Sequence, residues 1–259
     1  MQDQLKIALL QSDLVWEDPK QNRSRFSEKI QAIHEAVDMI ILPEMFSTGF
    51  TMNAKAVAET MDGETVRWMQ ETALKTNAAL MGSLVIEDSG HYYNRLLFVE
   101  PSGAIATYNK RHTFTLVGEE KTYTAGTEKI IVDYKGWKIC PLICYDLRFP
   151  VWARNTEDYD VLIYVANWPK PRVEAWDALL KARAIENMSY CIGVNRVGVD
   201  GVNIEYLGHS AVYDVLGACI ANTRPGKEQT VLVSLEKRHI TAYRSKFKFL
   251  NDRDAFTVV

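Results

Sequence analysis

The chain has 259 residues, of which 47% are hydrophobic, and its formal net charge is -3. A chain of this size buries a large apolar core without disulfides or structural metals, and we expect one domain over residues 1–259. The slightly acidic balance gives no electrostatic reason to expect nucleic acid or an anionic membrane as a partner.

Ten short apolar segments predict β-strands along the whole chain. Each is rich in Val, Ile and Leu and is bounded by turn-forming or charged residues. Several are apolar at consecutive positions, which is typical of strands that are covered on both faces. In chain order they are KIALLQ, MIILPE, AALMGSLVIE, NRLLFVE, AIATYNK, ICPLICYD, VLIYVANW, YCIGVN, SAVYDV and TVLVSLE.

Three segments between these strands predict amphipathic helices, because their apolar residues recur at helical spacing. They are residues 19–37, 64–75 and 174–190, and Pro19 suits the first turn of the first helix. The turn-like sequences DSGH and PSG separate other strands without a helix, which predicts hairpins. The pattern therefore indicates a mixed α/β fold without strict βαβ alternation.

Four places in the chain carry residue types that suit acyl transfer. Glu44 follows MIILP, Lys110 ends AIATYNK, and Cys144 follows ICPLI, while GEEK places Glu119 and Glu120 in a loop. A thiol, a carboxylate and a fixed cation could act as nucleophile, base and oxyanion stabiliser. Each residue alone also has an ordinary interpretation, since strand-end charges are usually solvated and a lone cysteine is usually core. The pattern alone leaves both interpretations open.

A catalytic thiol needs a base or a cation nearby, because its unperturbed pKa of about 8.5 leaves it mostly protonated at neutral pH. Histidine is the usual base in cysteine hydrolases. Here only His112 and His209 stand near predicted strand ends, and we expect both to be structural. A carboxylate therefore has to be considered as the base.

The four motifs resemble those of the nitrilase superfamily of carbon–nitrogen hydrolases. They are LPEMF around Glu44, YNKRHTF around Lys110, GEEKTYTAG around Glu119 and ICYDLRFP around Cys144. The stretches 166–201 and 207–217 are also similar to the family, so that the resemblance covers nearly the whole chain. CYDLRF and ANWP resemble the ω-amidase branch, whereas nitrilases usually carry CWEN-like residues and carbamoylases CNDRRWPE at the nucleophile.

The resemblance implies a fold and an assembly. The fold is a four-layer α-β-β-α sandwich of the nitrilase type, in which two stacked sheets lie between helical layers. The assembly is a homodimer that pairs across the helices following the nucleophile. The pattern of hairpins and helices is compatible with this fold but does not by itself predict two sheets.

The resemblance also implies roles for individual residues. Cys144 would be the nucleophile, Glu44 its general base, Lys110 the oxyanion stabiliser and Glu119 a second carboxylate. Glu119 is preferred to Glu120 because it opens a family-like E-x-K-x-[YL]-x-x-G pattern. The implied reaction releases ammonia from the terminal amide of 2-oxo dicarboxylic acid monoamides, such as 2-oxoglutaramate and 2-oxosuccinamate, through a thioester. It requires no metal and no organic cofactor.

Four residues are expected to bind the small-molecule amide. Tyr145 would add its backbone N–H to the oxyanion site, and we expect Phe46, Tyr145 and Trp168 to wall the pocket. Arg148 either pairs with a substrate carboxylate or is a structural partner of Asp146.

The location of the protein is predicted to be cytoplasmic. The four cysteines form no CxxC pair, which indicates thiols in a reducing compartment. The N-terminal segment has no signal-peptide pattern, and no run approaches the roughly 20 apolar residues of a membrane span.

Three other functions compete with the ω-amidase hypothesis. The first is another amidase, nitrilase or carbamoylase of the superfamily that acts on a different small amide. The second is a thiol redox sensor, for which Cys140 would be a poor resolving partner of Cys144 because both lie on one extended strand. The third is an inactive binding module, which is disfavoured because all four catalytic residue types are present.

Overall fold

Two six-stranded sheets, stacked face to face, form the centre of the computed structural model, which describes residues 2–258. The strands are β1 (Gln4–Gln11), β2 (Met39–Ile41), β3 (Ala79–Asp88), β4 (His91–Val99), β5 (Ile105–Asn109), β6 (Val132–Tyr134), β7 (Trp137–Ile143), β8 (Val161–Ala166), β9 (Tyr190–Asn195), β10 (Val197–Val199), β11 (Glu205–Leu207), β12 (Ala211–Tyr213), β13 (Cys219–Asn222) and β14 (Gln229–Glu236). The helices are α1 (Pro19–Gln31), α2 (Ala54–Val57), α3 (Glu64–Thr76), α4 (Pro150–Ala153), α5 (Val173–Asn187) and α6 (Lys237–Phe247).

The two sheets have the same arrangement of parallel and antiparallel strands. The first has the order β14-β1-β2-β3-β4-β5, and the second has the order β13-β12-β9-β8-β7-β6. In each, three neighbouring strands pair in parallel (β1-β2-β3 and β7-β8-β9), and every pairing outside these three is antiparallel. The predicted hairpins are confirmed, since β3, β4 and β5 pair antiparallel in sequence. Strands β10 and β11 form a separate two-stranded hairpin.

Strand β1 contributes side chains to two apolar cores, one on each face of the first sheet. Leu5, Ile7 and Leu9 point to the interior between the sheets, where they join side chains of the second sheet. Ala8 and Leu10 point to the opposite face and pack with apolar residues of α1 and α3. Successive side chains of a strand alternate between its faces, so a run of apolar residues is required when both faces are covered.

Helix α5 covers the outer face of the second sheet. Its residues Trp176 and Leu180 are fully buried against β9. A Cβ atom at Gly193 of β9 would lie 2.5 Å from side-chain atoms of both. Glycine at this position therefore allows the helix to approach the sheet closely. With α1 and α3 on the other side, the layers run α-β-β-α, which confirms the fold that the resemblance implied.

Several boundaries differ from the sequence prediction. Helix α1 ends at Gln31 rather than near residue 37, and strand β7 ends at Ile143 rather than continuing to residue 146. Residues 144–148 form a 3-10 turn instead. Helix α6 was not predicted at all. Within residues 2–258, no helix has the length and apolar character that crossing a membrane requires.

Candidate active site

Three strands bring Glu44, Lys110 and Cys144 together at one end of the sandwich. Glu44 follows β2 and Lys110 follows β5 in the first sheet, and Cys144 follows β7 in the second. Strand β5 is antiparallel to β4, which is antiparallel to β3, so β5 runs in the same direction as β2. The carboxyl ends of these strands therefore lie at the same edge, which is where α/β sheets commonly bind ligands.

Cys144 stands at a sharp turn directly after β7. Its φ angle is +44°, a left-handed conformation that is unusual for a residue with a side chain. The turn is stabilised by the buried carboxylate of Asp146, which accepts hydrogen bonds from the backbone N–H of Ile143 (3.0 Å) and the hydroxyl of Tyr108 (2.7 Å). It also accepts one from the backbone N–H of His112 (3.0 Å). The surrounding structure thus holds the backbone at Cys144 in a strained conformation.

Glu44 is fully buried and is held from three directions. Its Oε1 accepts hydrogen bonds from Asn94 Nδ2 at 2.8 Å and from Lys110 Nζ at 3.0 Å. Its Oε2 accepts one from the backbone N–H of Asn167 at 2.8 Å. Asn167 follows β8, so this bond joins the two sheets. Hydrogen bonds to a charged group are among the stronger ones in proteins, and they fix the carboxylate beside Cys144.

Lys110 lies between two carboxylates. Its Nζ is 2.9 Å and 3.0 Å from the two oxygens of Glu119, and it is 3.0 Å from Glu44. Both Lys110 and Glu119 are buried, whereas the neighbouring Glu120 is exposed. The structure therefore places Glu119, the residue that the motif favoured, against the lysine. The ring of Phe50 lies 5.0 Å from Nζ and covers the ammonium group.

The thiol of Cys144 is kept protonated in the resting protein. Burial raises its pKa well above the ordinary value, and the negative charge of Glu44 raises it further, while Lys110 lowers it. Glu44 also lies within hydrogen-bonding reach of the thiol. A thiol in this environment becomes a nucleophile only when its proton is removed, and Glu44 is placed to remove it.

Lys110 is held in its charged form. Burial alone would lower the pKa of Lys110, but the charges of Glu119 and Glu44 outweigh it and raise that pKa. The pKa of Glu119 is raised by its own burial, which Lys110 opposes. A lysine that stays charged in a site with little water provides a fixed positive charge close to the thiol.

A cavity of about 640 Å³ opens onto this cluster. The predicted site residues Cys144, Tyr145, Arg148 and Trp168 line it. Phe46 does not, and the prediction that it walls the pocket is wrong.

Phe46 lies instead in the core between the first sheet and its helices. Its ring packs on Phe26 (centroids 5.6 Å apart) and on Trp68 (5.7 Å). The glycine at position 82 leaves room for it, since a Cβ there would lie 2.8 Å from the Phe46 ring. Phe50 and Phe114 line the cavity together with Tyr145 and Trp168.

Arg148 reaches the cavity and does not pair with Asp146. Asp146 uses its oxygens for the turn at Cys144, as described above, while the Arg148 guanidinium lies 4.9 Å from the Trp168 ring centroid. A second guanidinium, that of Arg172, also lines the cavity and lies 5.1 Å from the Phe114 ring. The arginine ion pairs among the described residues all involve other arginines, so neither Arg148 nor Arg172 has a carboxylate partner there. Both are therefore available to a negatively charged ligand.

Five residues at the site were not predicted from the sequence. Asn94, in the middle of β4, and Asn167, after β8, hold Glu44, and Phe50, Phe114 and Arg172 line the cavity. Asn167 carried a usable signal, because it is a polar residue near the carboxyl end of the predicted strand segment VLIYVANW. Asn94 carried none, since β4 is separated from β2 by β3 and its contact with Glu44 depends on the path of the chain after β2.

Other polar residues near the site support it indirectly. Asn195, at the end of β9, accepts a hydrogen bond from the backbone N–H of Trp168 at 2.8 Å and donates one to its carbonyl at 2.9 Å. His112 bonds to Asp146, and His209 bonds to Asp177 outside the cavity, so both histidines have structural contacts. Asn195 thus fixes the position of a cavity wall.

Cys140 is not placed to be a redox partner of Cys144. It lies on β7 and is fully buried in the apolar core that includes the second sheet. Burial raises the pKa of its thiol to about 12, so it is protonated and inert at neutral pH. The structure does not favour a disulfide switch between these two cysteines.

The family model for carbon–nitrogen hydrolases matches residues 6–245. The omega-amidase YafV of Yersinia enterocolitica is 43% identical over 257 residues, which cover 98% of this chain and 99% of that protein. The 2-oxoglutaramate amidase of Bacillus subtilis is 32% identical over 231 residues, with 87% and 88% coverage.

Solved structures agree with these matches. The crystal structure of XC1258 from Xanthomonas campestris, a CN-hydrolase superfamily protein with an arsenic adduct in the active site, has a TM-score of 0.97 at 40% identity and covers 100% of both chains. Nit3 of Saccharomyces cerevisiae, a member of the nitrilase superfamily, has a TM-score of 0.84 at 23% identity, with 95% of each chain covered, and supports the fold alone. The chain therefore belongs to the carbon–nitrogen hydrolase family, and it is a hydrolase of carbon–nitrogen bonds.

Proposed function

We propose that this protein hydrolyses the terminal amide of 2-oxo dicarboxylic acid monoamides, with Cys144 as the nucleophile. The observation that carries the proposal is the placement of Cys144 at the cavity with Glu44 and Lys110 beside it. The names of the similar proteins, omega-amidase and 2-oxoglutaramate amidase, support the substrate class.

The first half of the reaction forms a thioester. Glu44 takes the proton of the Cys144 thiol, and the sulfur attacks the amide carbonyl carbon. Lys110 and the backbone N–H of Tyr145 stabilise the negative charge that develops on the carbonyl oxygen, and one such donor contributes about 100- to 1000-fold in rate. Glu44 then gives its proton to the nitrogen, the C–N bond breaks, and ammonia leaves.

The second half regenerates the enzyme. The same carboxylate takes a proton from water, which attacks the thioester carbonyl, and the acid leaves as the thiol is restored. Glu119 is not in contact with the cavity and acts by holding Lys110. A lysine fixed by two carboxylates needs no rearrangement when charge develops on the substrate.

The two arginines support a substrate that carries a carboxylate. An ω-amide of a 2-oxo dicarboxylic acid has a carboxylate and an oxo group at the end opposite the amide. Arg148 and Arg172 line the same cavity as Cys144 without a carboxylate partner of their own within residues 2–258. Guanidinium groups recognise carboxylates through paired hydrogen bonds. Arg148 is exposed, so this recognition depends on ionic strength.

A panel of amides tests this proposal. We expect purified protein to release ammonia from 2-oxoglutaramate and 2-oxosuccinamate much faster than from an aliphatic amide of the same length without a carboxylate. Arg148→Met should reduce the difference in rate between the two kinds of amide, mainly by slowing hydrolysis of the 2-oxo acid amides. Equal rates on both kinds of amide would contradict the substrate class. Mass spectrometry of the protein with substrate should find the acyl group on the peptide that contains Cys144. If Cys144→Ala still turns over substrate, Cys144 is not the nucleophile.

We also propose a homodimer in a cytoplasmic setting. Val151 of α4 and Ile185 of α5, two helices that follow Cys144 in the chain, have exposed apolar side chains, and so do Leu216 and Ile220. Exposed apolar side chains that lie together are typical of a surface that a partner covers. A reducing compartment suits the mechanism, because an oxidised Cys144 could not act as a nucleophile.

A further inference from the structure

The cavity is larger and more apolar than the proposed substrate requires. Its volume is about 640 Å³, within the range of sites that hold drug-sized ligands. 2-Oxoglutaramate has only about ten non-hydrogen atoms and polar groups at both ends, so it occupies a fraction of such a site. The proposed substrate therefore does not fill the part of the cavity that lies beyond Cys144, Glu44 and Lys110.

The outer part of the cavity is formed by four apolar side chains from two loops. Leu116 and Val117 belong to the turn that precedes Glu119, and Val202 and Ile204 belong to the connection between β10 and β11. Their exposed fractions are 74%, 48%, 63% and 42%. We call these four residues the apolar rim. Exposed apolar groups that adjoin a catalytic cavity mark a place where a ligand loses contact with water.

The apolar rim and the polar base of the cavity belong to one continuous space. Cys144, Lys110 and both unpaired arginines line the same cavity as the rim residues. An acyl group that is bound to Cys144 at one end and to an arginine at the other has both of its ends occupied. Of the two ends, the amide end is the one at which a substrate can carry a further group on its nitrogen, because the carboxylate end is bound by an arginine.

We propose that the enzyme also hydrolyses secondary amides of the same oxo acids, in which the amide nitrogen carries an apolar group that packs on the apolar rim. This inference rests on the proposed function, because it uses the same nucleophile and the same acyl group. The reaction is balanced in the same way: Cys144 forms the thioester, the C–N bond breaks, and Glu44 protonates the nitrogen. An amine leaves in place of ammonia, and water then releases the acid.

The test compares 2-oxoglutaramate with its N-benzyl amide as substrates of the full-length protein. The amine and the 2-oxo acid are measured by mass spectrometry, and kcat/KM is determined for both compounds. We expect hydrolysis of the N-benzyl amide with kcat/KM within about tenfold of the primary amide, since an apolar group on a partly exposed surface contributes modestly to specificity. Release of equal amounts of benzylamine and acid confirms that the C–N bond is the one cleaved.

Rim variants show where the benzyl group binds. The double variant Leu116→Ser/Ile204→Ser should lower the ratio of kcat/KM for the N-benzyl amide to that for the primary amide by about tenfold, mainly through a higher KM. Leu74→Ser is the matched control, because Leu74 is 71% exposed on α3 and does not line the cavity. It should leave that ratio unchanged.

Two results would overturn the inference. If 2-oxoglutaramate is hydrolysed and the N-benzyl amide is not, the rim does not bind a nitrogen substituent, while the proposed function stands. If the rim variant keeps the ratio but changes the molar mass in light scattering, the rim is an interface between copies of the chain. Failure to hydrolyse either amide instead contradicts the proposed function itself.

Discussion

Asn167 donates its backbone N–H to the Glu44 carboxylate at 2.8 Å and its side-chain amide to the Glu44 carbonyl at 2.6 Å. Glu44 follows a strand of the first sheet and Asn167 follows a strand of the second, so these bonds fix the Glu44 carboxylate relative to Cys144, which also follows a strand of the second sheet. The geometry of the Glu44–Cys144 pair thus depends on how the two sheets stack.

Replacement of Asn167 by alanine tests this positioning role. The backbone bond remains, but the side-chain bond to Glu44 is lost, which costs about 1–2 kcal/mol, and we expect kcat to fall about tenfold or more. KM for 2-oxoglutaramate should stay nearly constant, because the two arginines proposed to bind the substrate are unaffected. The exposed Asn251→Ala serves as the control and should have wild-type kinetics. An increase in KM with unchanged kcat would assign Asn167 to substrate binding instead.

Glu44→Gln should separate turnover from thiol reactivity. Loss of the base should lower kcat by about 100- to 10,000-fold. Because the charge of Glu44 raises the pKa of Cys144, its removal should lower that pKa and increase the thiolate fraction at a given pH. We therefore expect iodoacetamide to alkylate Cys144 faster in the variant than in the wild type at neutral pH, as followed by intact-protein mass spectrometry. Slower alkylation would show that Glu44 is needed to activate the thiol even toward a strong electrophile.

Lys110→Met should lower the free energy of unfolding, and the loss should increase as the pH rises toward neutral. Without the lysine, two buried carboxylates lose their cation, which costs about 3–5 kcal/mol in the free energy of unfolding. The pKa of Glu119 is already raised by burial, and Lys110 lowers it, so the variant should raise it further. A carboxyl group with a raised folded-state pKa stabilises the protein below its unfolded-state pKa and loses that contribution as pH rises.

Urea unfolding at several pH values measures this effect. The deficit of Lys110→Met should be smallest in mildly acidic buffer and should grow toward neutral pH. Lys121→Met, an exposed lysine of the same loop, is the control and should match the wild type throughout. A deficit that does not change with pH would mean that packing, rather than charge, accounts for the loss.

Glu119 and Glu120 form a matched pair of neighbouring carboxylates. Glu119→Gln weakens two hydrogen bonds to the charged Lys110, and we expect kcat to fall about 10- to 100-fold. Glu120 is exposed, and Glu120→Gln should have almost no effect. Steady-state ammonia release measures both. Equal losses in the two variants would place the essential carboxylate elsewhere.

Ile185→Glu should disrupt the proposed homodimer. Ile185 is 45% exposed on α5, and a charged side chain in a covered apolar surface opposes association. Sedimentation velocity should show a dimer for the wild type and a monomer for the variant. Leu74→Glu, which adds the same charge on α3, should remain dimeric. A monomeric wild-type protein would contradict the proposed homodimer.

The sequence by itself predicted the local structure and the chemistry. Runs such as KIALLQ and VLIYVANW have the composition of strands covered on both faces, and all ten predicted segments contain strands. The sequences DSGH and PSG predicted the hairpins, because the residues of a turn determine its conformation within a few positions of the chain. Glu44, Lys110, Glu119 and Cys144 were found because their motifs resemble a family whose members carry such residues at these points.

The tertiary structure alone decided which neighbours of these motifs reach the site. Phe46 and Phe50 are both aromatic and only four residues apart, yet the left-handed turn at Met45 (φ +42°) is followed by Phe46 in the core, while Phe50 covers Lys110. Asp146 is turned inward by the bend after β7, which leaves Arg148 to the cavity. The pairing of Asn167 with Glu44 spans 123 residues of sequence. Such contacts depend on the direction of each backbone bend and on the stacking of two sheets, and neither is encoded in the spacing of apolar and charged residues along one strand.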